Sequence, residues 1–159
     1  WGKPVQINSR NFNGKKSTSA AEAIVAIAGP IMNFILAFLF IIIIVIIEYI
    51  NPSILYSGLQ ITIWYEILLN IVIINLSLGV FNLIPIPPLD GSKVLNHFLP
   101  YNAKQWFYKN EQIFTIVFFL LLFIRPTGVS VISRILTPII GGILDGFVWV
   151  VSSIFGLFF

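Results

Sequence analysis

The run Phe81-Asn82-Leu83-Ile84-Pro85-Ile86-Pro87-Pro88-Leu89-Asp90-Gly91 ends a long apolar segment and forbids it from continuing as a helix. Each proline lacks an amide donor and clashes with the turn before it, and the residue ahead of each is pushed toward extended backbone. The run also delivers a carboxylate, Asp90, to the edge of that segment. An ionised side chain at the centre of a membrane helix costs about 2.5–3.5 kcal/mol on insertion scales. Irregular backbone at membrane depth persists only where protein buries it or water reaches it. The pattern therefore implies a protected, wet place built to hold Asp90, as a functional site would be.

Composition identifies the solvent. Of 159 residues, 58% are hydrophobic and only 9% charged, and mean hydropathy is +0.98. A soluble domain carries roughly 25% charged residues, so too few charges remain here to coat a water-facing surface. The net charge of +3 is scattered through loops, without the clustered basic stripe that nucleic-acid binding needs. With no cysteine, disulfides, thiolate metal sites and cysteine nucleophiles are excluded.

Four apolar stretches are long enough to consider as spans: Ala20–Ile50, Leu59–Ile84, about Trp106–Ile124 and Val129–Phe159. Roughly 20 residues cross a hydrocarbon core, and longer stretches cross with tilt. The third is short in its uninterrupted part, and the last is broken by Pro138 and Gly141-Gly142, so one kinked span and an interfacial piece followed by a span both remain open. The expected fold is all-α, a polytopic transmembrane bundle of about four spans with a Pro-rich broken loop. There is no internal repeat, and residues 1–159 read as one membrane-embedded domain: a polar, basic lead-in over 1–19, core helices over 20–100, and additional hydrophobic helices over 101–159.

Loop charges give the orientation. Lys3, Arg10, Lys15 and Lys16 precede the first span, Lys93, Lys104 and Lys109 follow the second, and the connection around Asn51–Ser57 carries none. The positive-inside rule then puts the amino-terminal lead-in and the Asp90 loop in the cytoplasm. Gly29-Pro30-Ile31-Met32-Asn33 in the first span falls in the same half of the bilayer. Gly29 and Asn33 share a helix face; the glycine permits close helix approach and the asparagine can hydrogen-bond across it. Taken alone, such a spacing is a helix-packing motif. Glu66 has an intramembrane acid's claim to function, and satisfaction within the bundle beside Asn70 is equally open.

Together these segments resemble the site-2 protease family of intramembrane zinc metalloproteases, whose members carry H-E-x-x-H on one core helix, a G-x-x-x-N/S/G face on the next, and an N-x-x-P-x-P-x-L-D-G loop after the third. Gly29-Pro30-Ile31-Met32-Asn33 matches the second motif and Asn82-Leu83-Ile84-Pro85-Ile86-Pro87-Pro88-Leu89-Asp90-Gly91 the third. The lead-in Trp1-Gly2-Lys3-Pro4-Val5 is similar to the segment before the second core helix, and the resemblance covers roughly Trp1–Pro100. It implies a zinc cofactor with Asp90 as its carboxylate ligand, and substrate-orienting or oxyanion-stabilising roles for Asn33 and Asn82. Gly29, Pro30, Pro85, Pro87 and Gly91 are implied as structural parts of the motifs. An extended proline loop, with backbone exposed to an unwound substrate helix, is the corresponding expectation for its shape.

The departure is the absence of H-E-x-x-H: His97 is the single histidine, and one aspartate cannot hold a catalytic zinc. His97 reads as a solvent-facing loop residue. No catalytic residue is therefore assigned within the chain, which the resemblance reads as a fragment whose H-E-x-x-H helix lies upstream of Trp1. Three functions stay open: an intramembrane endopeptidase that cuts membrane proteins in or near the bilayer, an inactive relative that binds membrane proteins, and a small transporter or channel. The last lacks the second broken segment that an inverted repeat would supply. Isoleucine-rich spans suggest a bacterial plasma membrane.

Overall fold

The structure, a computed structural model, describes residues 18–50, 59–125 and 128–158. The lead-in Trp1–Val5 and the connection Asn51–Ser57 fall outside them. As expected, the described chain is helical: α1 (Thr18–Ile50), α2 (Leu59–Asn82), α3 (Asp90–Phe98), α4 (Tyr101–Lys109), α5 (Glu111–Phe123) and α6 (Val131–Phe158).

Among the described residues, three helices are long and apolar enough to cross a membrane: Ser19–Ile50, Ile63–Asn82 and Val131–Gly156. The remaining apolar stretch folds as the 13-residue α5. At 1.5 Å per residue it is about 20 Å long, shorter than a hydrocarbon core of about 30 Å. The last stretch resolves in favour of one continuous helix through Pro138. Its start is fixed by Ser130, whose Oγ accepts from the Ser133 amide at 3.1 Å while its carbonyl accepts from the Arg134 amide. A side-chain acceptor of this kind satisfies a donor that the first helical turn leaves unpaired.

Ala37, Ile41 and Ile44 recur at helical spacing on α1 and bury against Val72 and Leu76 of α2 and Val151 of α6. Ala37 is small enough to let the helices close in, and Phe38 meets Phe147 edge-on at 5.1 Å. Gly79 of α2 faces the Phe34 ring of α1, and an added Cβ there would lie 2.9 Å from it. The opposite faces of α1 and α6 keep large aliphatic side chains exposed, Ile31, Ile35 and Leu39 on one and Ile135, Ile139 and Val150 on the other. Lipid is the solvent that suits such faces.

One polar tie joins the first two helices. The Tyr65 hydroxyl donates to Glu48 Oε1 at 2.7 Å. Hydrogen bonds to a charged partner contribute about 1.5–3 kcal/mol, and this one is only partly buried. Tyr65→Phe should therefore lower stability by about 1 kcal/mol. The check is thermal unfolding in detergent, with Glu48→Gln/Tyr65→Phe no worse than the more damaging single change.

Candidate functional site

The segment between α2 and α3 folds as consecutive tight turns. The Ile84 amide donates to the Phe81 carbonyl (3.1 Å), Ile86 to Ile84 (2.8 Å), Leu89 to Ile86 (3.0 Å) and Ser92 to Leu89 (3.1 Å). This corrects the expectation of an extended proline loop: its amides are turned inward onto its own carbonyls. The physical reason is lateral. Leu89 is buried with Phe118 of α5 and Ile132 of α6, and Phe81, Ile84 and Ile86 pack around that trio. Proline fixes φ, but the burial of these side chains selects turns over extension. The carboxy-terminal helices, which the sequence marks only as hydrophobic, are the seat of the loop.

Asp90 is the first residue of α3, and Leu89 occupies the capping position without a side-chain cap. The carboxylate is thus not consumed in capping, although its place in the first turn suits the positive end of the helix. One oxygen, Oδ1, accepts from Lys93 Nζ at 2.9 Å in a half-exposed ion pair. Ser92 is buried and holds the turn with both its amide and its hydroxyl on the Leu89 carbonyl, the latter at 2.6 Å.

Gly91 shows why the residue after the aspartate has no side chain. A Cβ there would overlap the carbonyl oxygen of Leu83 and lie 2.5 Å from that of Ile84. Both obstacles are backbone, so neither can rotate aside. The start of α3 is pressed directly onto the end of the α2 turn, and this contact fixes where Asp90 emerges.

Asn82 closes α2 at the head of the loop, and Asn33 lies half-buried on α1. Neither side chain has a hydrogen-bond partner among the described residues. α3 packs beside α1, so the helix bearing Asn33 and the helix bearing Asp90 are neighbours. Gly29 behaves differently from the expectation that it permits close helix approach. It is exposed, and an added Cβ would meet nothing within 4 Å. Pro30, one position and about 100° further round, takes the inward place and is fully buried.

His97 lies two turns beyond Asp90, about 10 Å along the helix axis, with its ring against Phe98. No third potential ligand joins the two in a converging group among the described residues, nor does any other group of three or more potential ligands converge there. The described residues therefore hold no complete ligand set for a catalytic zinc, which takes three protein ligands. Glu66 is exposed on α2, and Asn70 Nδ2 bonds its carbonyl rather than its carboxylate. Lys104 Nζ of α4 donates to Ser19 Oγ at the start of α1, 3.3 Å away, so these two places lie together.

A helical membrane domain with a proline-broken, aspartate-bearing loop defines the class. Residues 50–125 match peptidase family M50. Over 160 aligned positions the chain is 32% identical to a protein of Bacillus subtilis (strain 168) named "Putative zinc metalloprotease YwhC". The alignment takes in 98% of this chain and 66% of that relative, so the chain spans just under two thirds of its length. No solved structure matches. The chain belongs to peptidase family M50, the site-2 protease family.

Proposed function

We propose that the protein, at its full length, is a zinc-dependent endopeptidase that cuts membrane-protein substrates in or near the bilayer, with Asp90 as the carboxylate ligand of its metal. The observation that carries this reading is the clamp at Gly91. It fixes the start of α3 against the Leu83 and Ile84 carbonyls and leaves Asp90 uncommitted to capping.

Zinc bound to Asp90 and two further ligands would polarise a peptide carbonyl and lower the pKa of a bound water. The roles of this chain's own residues follow from their places. Lys93 engages only Oδ1 of Asp90, at 2.9 Å, which leaves Oδ2 as the oxygen available to an ion. Asn33 and Asn82, lacking partners among the described residues, have amides available for the backbone of a substrate segment. A substrate strand needs such donors because an unwound peptide in hydrocarbon has no water to satisfy it. The distribution of loop charges supports a cytoplasmic Asp90 end.

Chelation tests the reading. The full-length protein, reconstituted in lipid and treated with a zinc chelator, should lose cleavage of a single-span reporter and regain it when zinc is restored. Cleavage that survives complete chelation excludes a metalloprotease. A folded protein that cuts nothing with zinc restored, while still binding the reporter, favours the alternative of a membrane-protein-binding scaffold.

A further inference from the structure

A cavity of about 320 Å³ lies at the same end of the bundle as Asp90, bounded by Glu22 of α1, Pro87, Pro88, Asn96 of α3 and Glu111 of α5. Its walls mix apolar surface with polar groups, two of them acidic. Neither the Glu22 nor the Glu111 carboxylate has a hydrogen-bond or ion-pair partner among the described residues. The prolines contribute carbonyls and no amide. Lys93, the cation on the rim, is engaged with Asp90.

Asn96 adds an independent sign. It is only 7% exposed, and its Oδ1 is the buried side-chain polar atom left without a partner among the described residues. An unmet buried acceptor costs about 1–3 kcal/mol, so such groups usually mark a missing donor. Two carboxylates and an orphaned amide oxygen around one cavity specify what that donor should be: cationic and rich in N–H.

We propose that this cavity receives a lysine or arginine side chain from the cytoplasmic flank of the substrate's membrane span, making basic-flanked single-span proteins the substrate class. This rests on the protease reading above. Membrane proteins concentrate Lys and Arg close to the cytoplasmic ends of their spans. Long basic side chains extend along apolar surface to reach polar groups at that level. A span presented to Asp90 would bring its basic flank to the depth where Glu22 opens α1 and Glu111 opens α5. The rings of Phe107 and Tyr108 line the same cavity and suit the aliphatic stem or a guanidinium face.

The test reads binding, after chelation, so that a protein that cuts nothing still reports on the cavity. The full-length protein is placed in phosphatidylcholine nanodiscs with two fluorescent peptides, each a Leu/Ala span of about 20 residues. One peptide ends in a Lys-Lys flank and the other in Gln-Gln. Wild type should bind the Lys-Lys peptide about tenfold more tightly, the scale of one charge-assisted hydrogen bond. Glu22→Gln/Glu111→Gln should erase that preference while leaving Gln-Gln binding unchanged, which also certifies its fold. Should the double variant bind neither peptide, the single variants decide by the same ratio. Equal binding of both peptides by wild type, or a preference that the glutamine variants keep, overturns the proposal.

Discussion

A Gly91→Ala protein is expected to be destabilised by about 3 kcal/mol or more, the upper end of what overpacking costs. The methyl group would be driven into two carbonyls of the preceding turn, those of Leu83 and Ile84. Relief requires the first turn of α3 to lift away from the end of α2. That movement would pull Leu89 from its seat against Phe118 and Ile132 and carry Asp90 with it. Thermal unfolding in detergent should show the loss, and zinc content should fall with it. Gly141→Ala provides the contrast, since nothing lies within 4 Å of an added Cβ there. In that variant alanine should be neutral or slightly stabilising, because glycine in a helix interior is worth about 0.5–1 kcal/mol less than alanine. A Gly91→Ala protein as stable as wild type would show that the loop is not clamped as described.

The second large effect concerns chemistry with the fold left alone. Asp90→Asn keeps the shape of the side chain but removes the anionic ligand, and its Lys93 ion pair is half-exposed and contributes little to stability. Unfolding temperature should barely move. Proteolysis by the full-length protein should fall by about 10³-fold or more, because a catalytic metal contributes several kcal/mol to transition-state stabilisation and each 1.36 kcal/mol is tenfold in rate. Lys93→Ala separates the two roles of the carboxylate. By freeing Oδ1 it should leave zinc binding intact or strengthen it. If Asp90→Asn cleaved at the wild-type rate, Asp90 would be no ligand of a catalytic ion.

Much of the fold is legible in the residues because hydrocarbon-length stretches admit few alternatives. The place of Asp90 is legible for a related reason: three prolines end α2, and a carboxylate beside such a break is costly unless used. Faces and shapes are less legible. Gly29 and Pro30 are adjacent in an almost uniformly apolar helix, so periodicity does not say which of them turns inward; burial in the bundle falls to Pro30. The loop's turns were hidden because they depend on Leu89 finding Phe118, far along the chain and unmarked by any motif. The cavity at Glu22 and Glu111 was hidden likewise, since 89 positions separate its two carboxylates and Asn96 carries no spacing signal.

The measurement closest to the central claim is the zinc content of the full-length protein beside its Asp90→Ala variant, both purified in detergent and shown to be folded. The account predicts about one zinc per wild-type chain, as a catalytic site with three protein ligands would hold. It predicts a fall to near zero in Asp90→Ala, with the unfolding temperature unchanged. Wild type without zinc, or a variant that retains it with undiminished affinity, would contradict the assignment of Asp90 as the metal's carboxylate.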